Sequence, residues 1–122
     1  MPYNDGSGNF SYWNPSVQSL SGTTTTWTTT SGVNAKITIT AATTIYMTGL
    51  VSGQTGNITI TNPSTAYKLK FTGYTLKISP ALTADSGGIL LSGSSKTDVL
   101  SWYYDGDYVI INGTLSYQSF SY

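Results

Sequence analysis

The feature that most constrains this chain is period-two alternation of apolar and polar residues, broken at short intervals by turn-forming residues. In AKITIT, Ile37 and Ile39 alternate with Lys36, Thr38 and Thr40, the signature of a strand with one buried face. Ile45 and Met47 continue that face in TIYM, Ile58 and Ile60 repeat the pattern, and Tyr67, Leu69 and Phe71 alternate with Lys68 and Lys70. Further strands are expected around Leu76 and Ile78, from Ile89 to Leu91, and across TTTTWTTT (23–30) with Trp27 inward. Between them lie Ser52-Gly53-Gln54-Thr55-Gly56, Asn62-Pro63-Ser64, Gly73 and Asp85-Ser86-Gly87-Gly88, all turn chemistry. Strands at this spacing, with no segment of helical period to serve as a crossover, predict an all-β, antiparallel, jelly-roll-like sandwich of about seven to nine strands.

The segment DVLSWYYDGDYVIING carries the clearest hairpin signal. Asp105-Gly106 fits a two-residue type I′ turn, which pairs Tyr104 with Asp107, Tyr103 with Tyr108, Trp102 with Val109 and Leu100 with Ile111. Leu100, Trp102, Val109 and Ile111 then face the core. Val99, Tyr103, Tyr108 and Ile110 share the opposite face, which is either covered within the fold or meets another subunit. Residues 1–22 lack alternation but hold Tyr3, Phe10, Tyr12 and Trp13. They are expected to form an N-terminal arm that lies across its own domain or docks on a neighbour through these aromatics, with residues 23–122 forming a single sandwich domain.

Composition narrows the function. The 122 residues include five Lys and five Asp but no Arg, Glu, His or Cys. The commonest general acid–base group and the strongest nucleophile are thus missing, as are the imidazole and thiolate ligands of zinc, iron and copper. No cofactor is expected. A chain of zero net charge without Arg is poorly suited to nucleic acid. A calcium site at Asp105 and Asp107 lacks the spaced acidic loop of calcium motifs, and a two-carboxylate glycosidase lacks a marked cleft. Ice binding is suggested by the Thr-rich strands, but no fixed sequence period supports it. Exposed Tyr46, Tyr74 and Tyr103 are candidates for stacking on sugars, which makes a carbohydrate-binding or receptor-binding module the alternative function.

The first residues show no basic stretch followed by an apolar run, and no segment is long and apolar enough for a membrane span. Expected partners therefore exclude membranes. Twenty-one Thr and seventeen Ser stand in for the missing charges, as on an extracellular surface. A particle component made in a host cytoplasm and exposed after lysis reconciles the two signals.

The run ITITAATTIYMTGLVSGQTGNITITN, then YKLKF, then KTDVLSWYYDGDYVIINGTLSY resembles a β-sandwich module of bacteriophage structural proteins. The likeness spans about residues 23–116 and rests on the Thr-rich strand Thr38–Thr44, Gly49-Leu50, Gly53-Gln54-Thr55-Gly56 and the hairpin from Thr97 to Gly106. It implies a non-enzymatic virion subunit of a head fibre, capsid decoration, or tail fibre or tip, commonly trimeric. The interface would be Val99, Tyr103, Tyr108 and Ile110, and the arm would reach other virion proteins.

Overall fold

The structure is a computed structural model and describes residues 16–121. It is nearly all β, with two sheets packed around one core. Eleven strands lie among these residues: β1 (Val17–Leu20), β2 (Thr24–Thr28), β3 (Asn34–Thr38), β4 (Thr43–Thr48), β5 (Thr55–Thr61), β6 (Lys68–Thr72), β7 (Leu76–Ile78), β8 (Ala84–Asp85), β9 (Gly88–Leu90), β10 (Thr97–Tyr104) and β11 (Val109–Tyr117). One sheet runs β1-β3-β5-β10-β11-β7, and the other runs β2-β4-β6-β9-β8.

This order corrects the antiparallel, jelly-roll-like expectation. From β1 to β6 the chain changes sheet at every strand, so alternate strands lie parallel: β1 beside β3, β3 beside β5, β2 beside β4 and β4 beside β6. A parallel pair needs a long crossover. Here the crossover is the intervening strand of the other sheet with its two loops, so no helix is required. Ile37 and Ile45, expected on one continuous face, therefore meet the core from opposite sheets. The β5–β10, β10–β11, β6–β9 and β8–β9 pairs are antiparallel, and β7 joins β11 in parallel. Residues 17–20, expected in the arm, form β1; Tyr3, Phe10, Tyr12 and Trp13 lie outside the described residues.

Each strand buries its apolar positions between the sheets. Trp27, Ile45, Met47, Leu69 and Phe71 come from one sheet and Ala35, Ile37, Ile58, Ile60, Leu100, Trp102, Val109 and Ile111 from the other. Trp27 and Trp102 meet edge to face at 5.9 Å and 88°, the arrangement that aligns a ring's positive edge with a negative face. Trp27 Nε1 donates to the Gly32 carbonyl at 3.0 Å. Gly56 lies opposite Trp102 on β5, and a Cβ there would collide with the Val33 carbonyl and sit 2.8 Å from Trp102 Nε1. The indole occupies the space a side chain would need.

The hairpin keeps its expected faces but not its register. Tyr104 pairs with Val109, Tyr103 with Ile110 and Trp102 with Ile111. The two-residue turn is Gly106-Asp107, with φ of 102° at Gly106 and no positive φ at Asp107; glycine at the first central position suits a II′ turn. Asp105 sets this register. Its Oδ1 accepts from Asp107 N and Tyr108 N, both at 2.8 Å, which holds Asp105 just before the turn. From Val99 to Tyr104 each β10 residue meets a partner two places further along β11 than expected, and an even slip leaves these side chains on their original faces.

Asp98 is fully buried on β10. Its Oδ2 accepts from Asn62 Nδ2 at 3.0 Å and Ser92 N at 2.9 Å, and its Oδ1 from Ser92 Oγ at 2.7 Å and Ser116 N at 2.9 Å. Ser116 belongs to an irregularity in the β10–β11 ladder, where pairing shifts between Thr97 and Val99 and Ser116 takes φ 66°. The carboxylate satisfies the N–H that the irregularity removes from the ladder.

Asp98→Asn places a second donor against donors and removes charge-assisted bonds, so it lowers unfolding free energy by about 2–4 kcal/mol, read by urea titration. Gly56→Ala drives a methyl into backbone and indole and costs about 2–3 kcal/mol in the same measurement.

Candidate functional site

The sandwich presents two broad outer faces, and outward positions of adjacent strands align into rows across each. On the six-stranded sheet, Thr55, Tyr103, Ile110 and Lys77 form one row, and Asn57, Ser101 and Asn112 the next. Thr59, Val99 and Thr114 form a third. Ser101 Oγ donates to Asn57 Oδ1 at 2.7 Å, and Asn57 N donates to Asn34 Oδ1 at 3.1 Å, which ties the polar row together. Tyr103 is 45% exposed and Ile110 39%, and they are direct cross-strand partners. The strand β10 is central in its sheet, yet this outer side is uncovered by any described residue.

The four expected interface residues do share this face, but unequally. Tyr103 and Ile110 are exposed, Val99 is half-buried between Thr59 and Thr114, and Tyr108 is half-buried at the hairpin end. Lys77 Nζ stands 4.2 Å from the Tyr108 ring centroid, a cation–π contact that occupies that ring.

The three expected sugar-stacking tyrosines do not form one platform. Tyr103 lies on the six-stranded face and Tyr46 on the outer face of the five-stranded sheet. Tyr74 packs edge to face on Tyr104 at 5.1 Å and accepts a hydrogen bond from Leu50 N at 3.1 Å, so its ring and hydroxyl are both engaged. Around Tyr46 the parallel pairing builds a grid absent from the sequence-based expectation. Thr24, Thr44 and Lys70 form one row, Thr26, Tyr46 and Thr72 the next, and Thr28 and Thr48 a third. The alternation of each strand carried half of this signal; the other half is register, and loops of unequal length hide it from any fixed sequence period.

No described carboxylate stands within either grid, though Asp85 adjoins the Tyr46 face through its pair with Lys68. Asp98 is buried, Asp105 and Asp107 occupy the hairpin tip, and Asp85 ends β8, where its Oδ2 pairs with Lys68 Nζ at 2.6 Å and its Oδ1 accepts from Gly87 N at 2.8 Å. Among the described residues no three Asp side chains converge as a metal cluster would require, and no helix is long and apolar enough to cross a membrane. The Lys68 hydrogen bond, followed by the Gly87 N–H, holds Asp85 below the ordinary carboxylate value; the N–H groups of Tyr108 and then Asp107 do the same for Asp105. Comparison with family profiles, curated proteins and solved structures finds no match to this chain.

A carboxylate depressed in the folded state stabilises the fold above its unfolded pKa, and that contribution disappears as pH falls through the lower folded value. The urea midpoint therefore drops as pH falls below about 4. Asp105→Asn, which cannot gain or lose that charge, shows a shallower drop over the same range, whereas superimposable pH profiles would contradict the assignment.

Proposed function

We propose that this protein is a non-enzymatic structural subunit of a bacteriophage particle, a capsid decoration, head-fibre or tail-fibre or tip component, that works by assembling with copies of itself. The observation that supports this reading most is the outer face of the six-stranded sheet. It is broad and carries no described carboxylate, and it places Tyr103 beside Ile110 in the open. An aromatic–aliphatic pair amid short hydroxyl and amide side chains is a surface that dehydrates at low cost. With zero net charge, copies are not driven apart electrostatically. The sequence order of the Thr-rich segment Thr38–Thr44, the Gly-Gln-Thr-Gly run and the Asp-Val-Leu-Ser-Trp-Tyr-Tyr-Asp-Gly hairpin supports the phage assignment and, with it, a homotrimer located in the virion. Tyr3, Phe10, Tyr12 and Trp13 would then anchor the subunit to other virion proteins. A second reading, glycan or receptor binding, is favoured by Tyr46 on the opposite face.

Light scattering on the full chain at micromolar concentration is expected to give three times the 13.0 kDa chain mass. The double variant Tyr103→Ser/Ile110→Ser is expected to give a single chain mass with an unchanged thermal midpoint, because both side chains are exposed. A wild-type mass of one chain at every concentration would overturn the assembly role.

A further inference from the structure

We infer that the outer face of β2, β4 and β6 is a binding surface for an anionic, carboxylate-bearing polysaccharide, with Tyr46 as its stacking platform and Lys70 as its charge contact. The inference rests on the glycan reading and deepens it by assigning the site and the ligand class.

Tyr46 is 50% exposed at the middle of its row, and its hydroxyl has no hydrogen-bond partner among the described residues. A Cβ at Gly73 would lie 3.5 Å from Tyr46 Cε1, so the ring edge rests beside a residue with no side chain to cover it. An aromatic ring held this way offers an apolar face with a hydroxyl handle, the combination that receives the C–H face of a sugar. Thr26 and Thr72 flank it directly, and Thr24, Thr44, Thr28 and Thr48 fill the adjoining rows. Strand geometry spaces these hydroxyls about 4.8 Å across the sheet and about 6.6 Å along it, which gives a repeating ligand repeating hydrogen-bond partners.

Charge selects the ligand class. The two lysines that project from β6 on this face differ in state. Lys68 is neutralised by Asp85, whereas Lys70 is exposed and has no ion-pair partner among the described residues. Asp85 is the only described carboxylate in the five-stranded sheet and is already engaged. The face therefore carries one uncommitted positive charge one row from Tyr46, diagonally across the ladder. A sugar stacked on Tyr46 places a carboxylate of the same chain within reach of Lys70, and Asp85, the one described carboxylate of this sheet, is already paired with Lys68.

The test is titration of the full chain with hexagalacturonate, and with maltohexaose as the neutral counterpart, followed by calorimetry at low and moderate salt. Wild type is expected to bind hexagalacturonate more tightly than maltohexaose. Tyr46→Ala is expected to weaken binding about tenfold. Lys70→Gln is expected to weaken it several-fold and to remove most of its salt dependence. Both residues are exposed, and an unchanged thermal midpoint verifies that each variant is folded. Equal affinity for the two hexamers overturns the anionic assignment while sparing the glycan reading, and absence of binding to either at millimolar concentration overturns both. Unchanged affinity in Tyr46→Ala overturns the site. Repeating the titration with Tyr103→Ser/Ile110→Ser separates the two faces: retained binding supports independence from assembly, and loss of binding would contradict the placement of the site on the five-stranded sheet.

Discussion

Each of the first six strands can bury only one face, and the chain answers that constraint by crossing to the opposite sheet after every strand. The core, the edges and both outer faces follow from this crossing. Inward residues from β2, β4 and β6 meet those from β3 and β5 across a single apolar layer, closed by the perpendicular Trp27–Trp102 contact. Since alternate strands are parallel neighbours, outward residues that are far apart in sequence align in rows. Threonine suits those outward positions: its branched Cβ favours the extended backbone, and its hydroxyl keeps the surface hydrated without charge.

The coil of parallel strands and the antiparallel β10–β11 hairpin are different kinds of structure, and Asp98 joins them. Its carboxylate gathers donors from the segment after β5, the loop before β10 and the irregular end of β11. The same loops are bound together by Asn62 N to the Lys96 carbonyl, Ser94 N to the Ser64 carbonyl and Ser95 N to the Pro63 carbonyl. Ser94 and Ser95 take φ of 51° and 56°, left-handed conformations that non-glycine residues adopt at some cost. The buried anion is tolerated because four hydrogen bonds replace its hydration. Within the same core, Trp102 Nε1 has no hydrogen-bond partner; the indole is held by packing against Gly56 and Trp27 rather than by its polar atom.

Much of the strand content was legible because alternation is a local property. The inward placement of Ile37, Ile58, Leu69, Phe71 and Trp27 follows from it directly. Strand order was not legible. Period-two patterning says which face is buried but not which strand lies alongside, and a crossover made of a strand looks identical in sequence to a hairpin partner. The hairpin shows the same limit at small scale: Asp-Gly marked the turn, but the Asp105 side chain, by capping the N–H groups of Asp107 and Tyr108, moved its centre by one residue. Val99, Tyr103, Tyr108 and Ile110 share one face, as their alternation implies, because that slip is even. The Tyr46 grid is not legible in the sequence, since it depends on register between strands whose connecting loops differ in length.

The two faces differ in chemistry as well as position. One pairs Tyr103 with Ile110 and suits a protein surface; the other surrounds Tyr46 with hydroxyls and one free ammonium and suits a hydrated ligand. In the proposed assembly, copies meet through the first face. Hydroxyl-radical footprinting of individual tyrosines across a dilution series tests it most directly. Tyr103 is expected to be protected at high concentration and to become reactive on dilution, while Tyr46 reacts equally throughout. Tyr103 reacting at a rate independent of concentration, from dilute to concentrated protein, would contradict it.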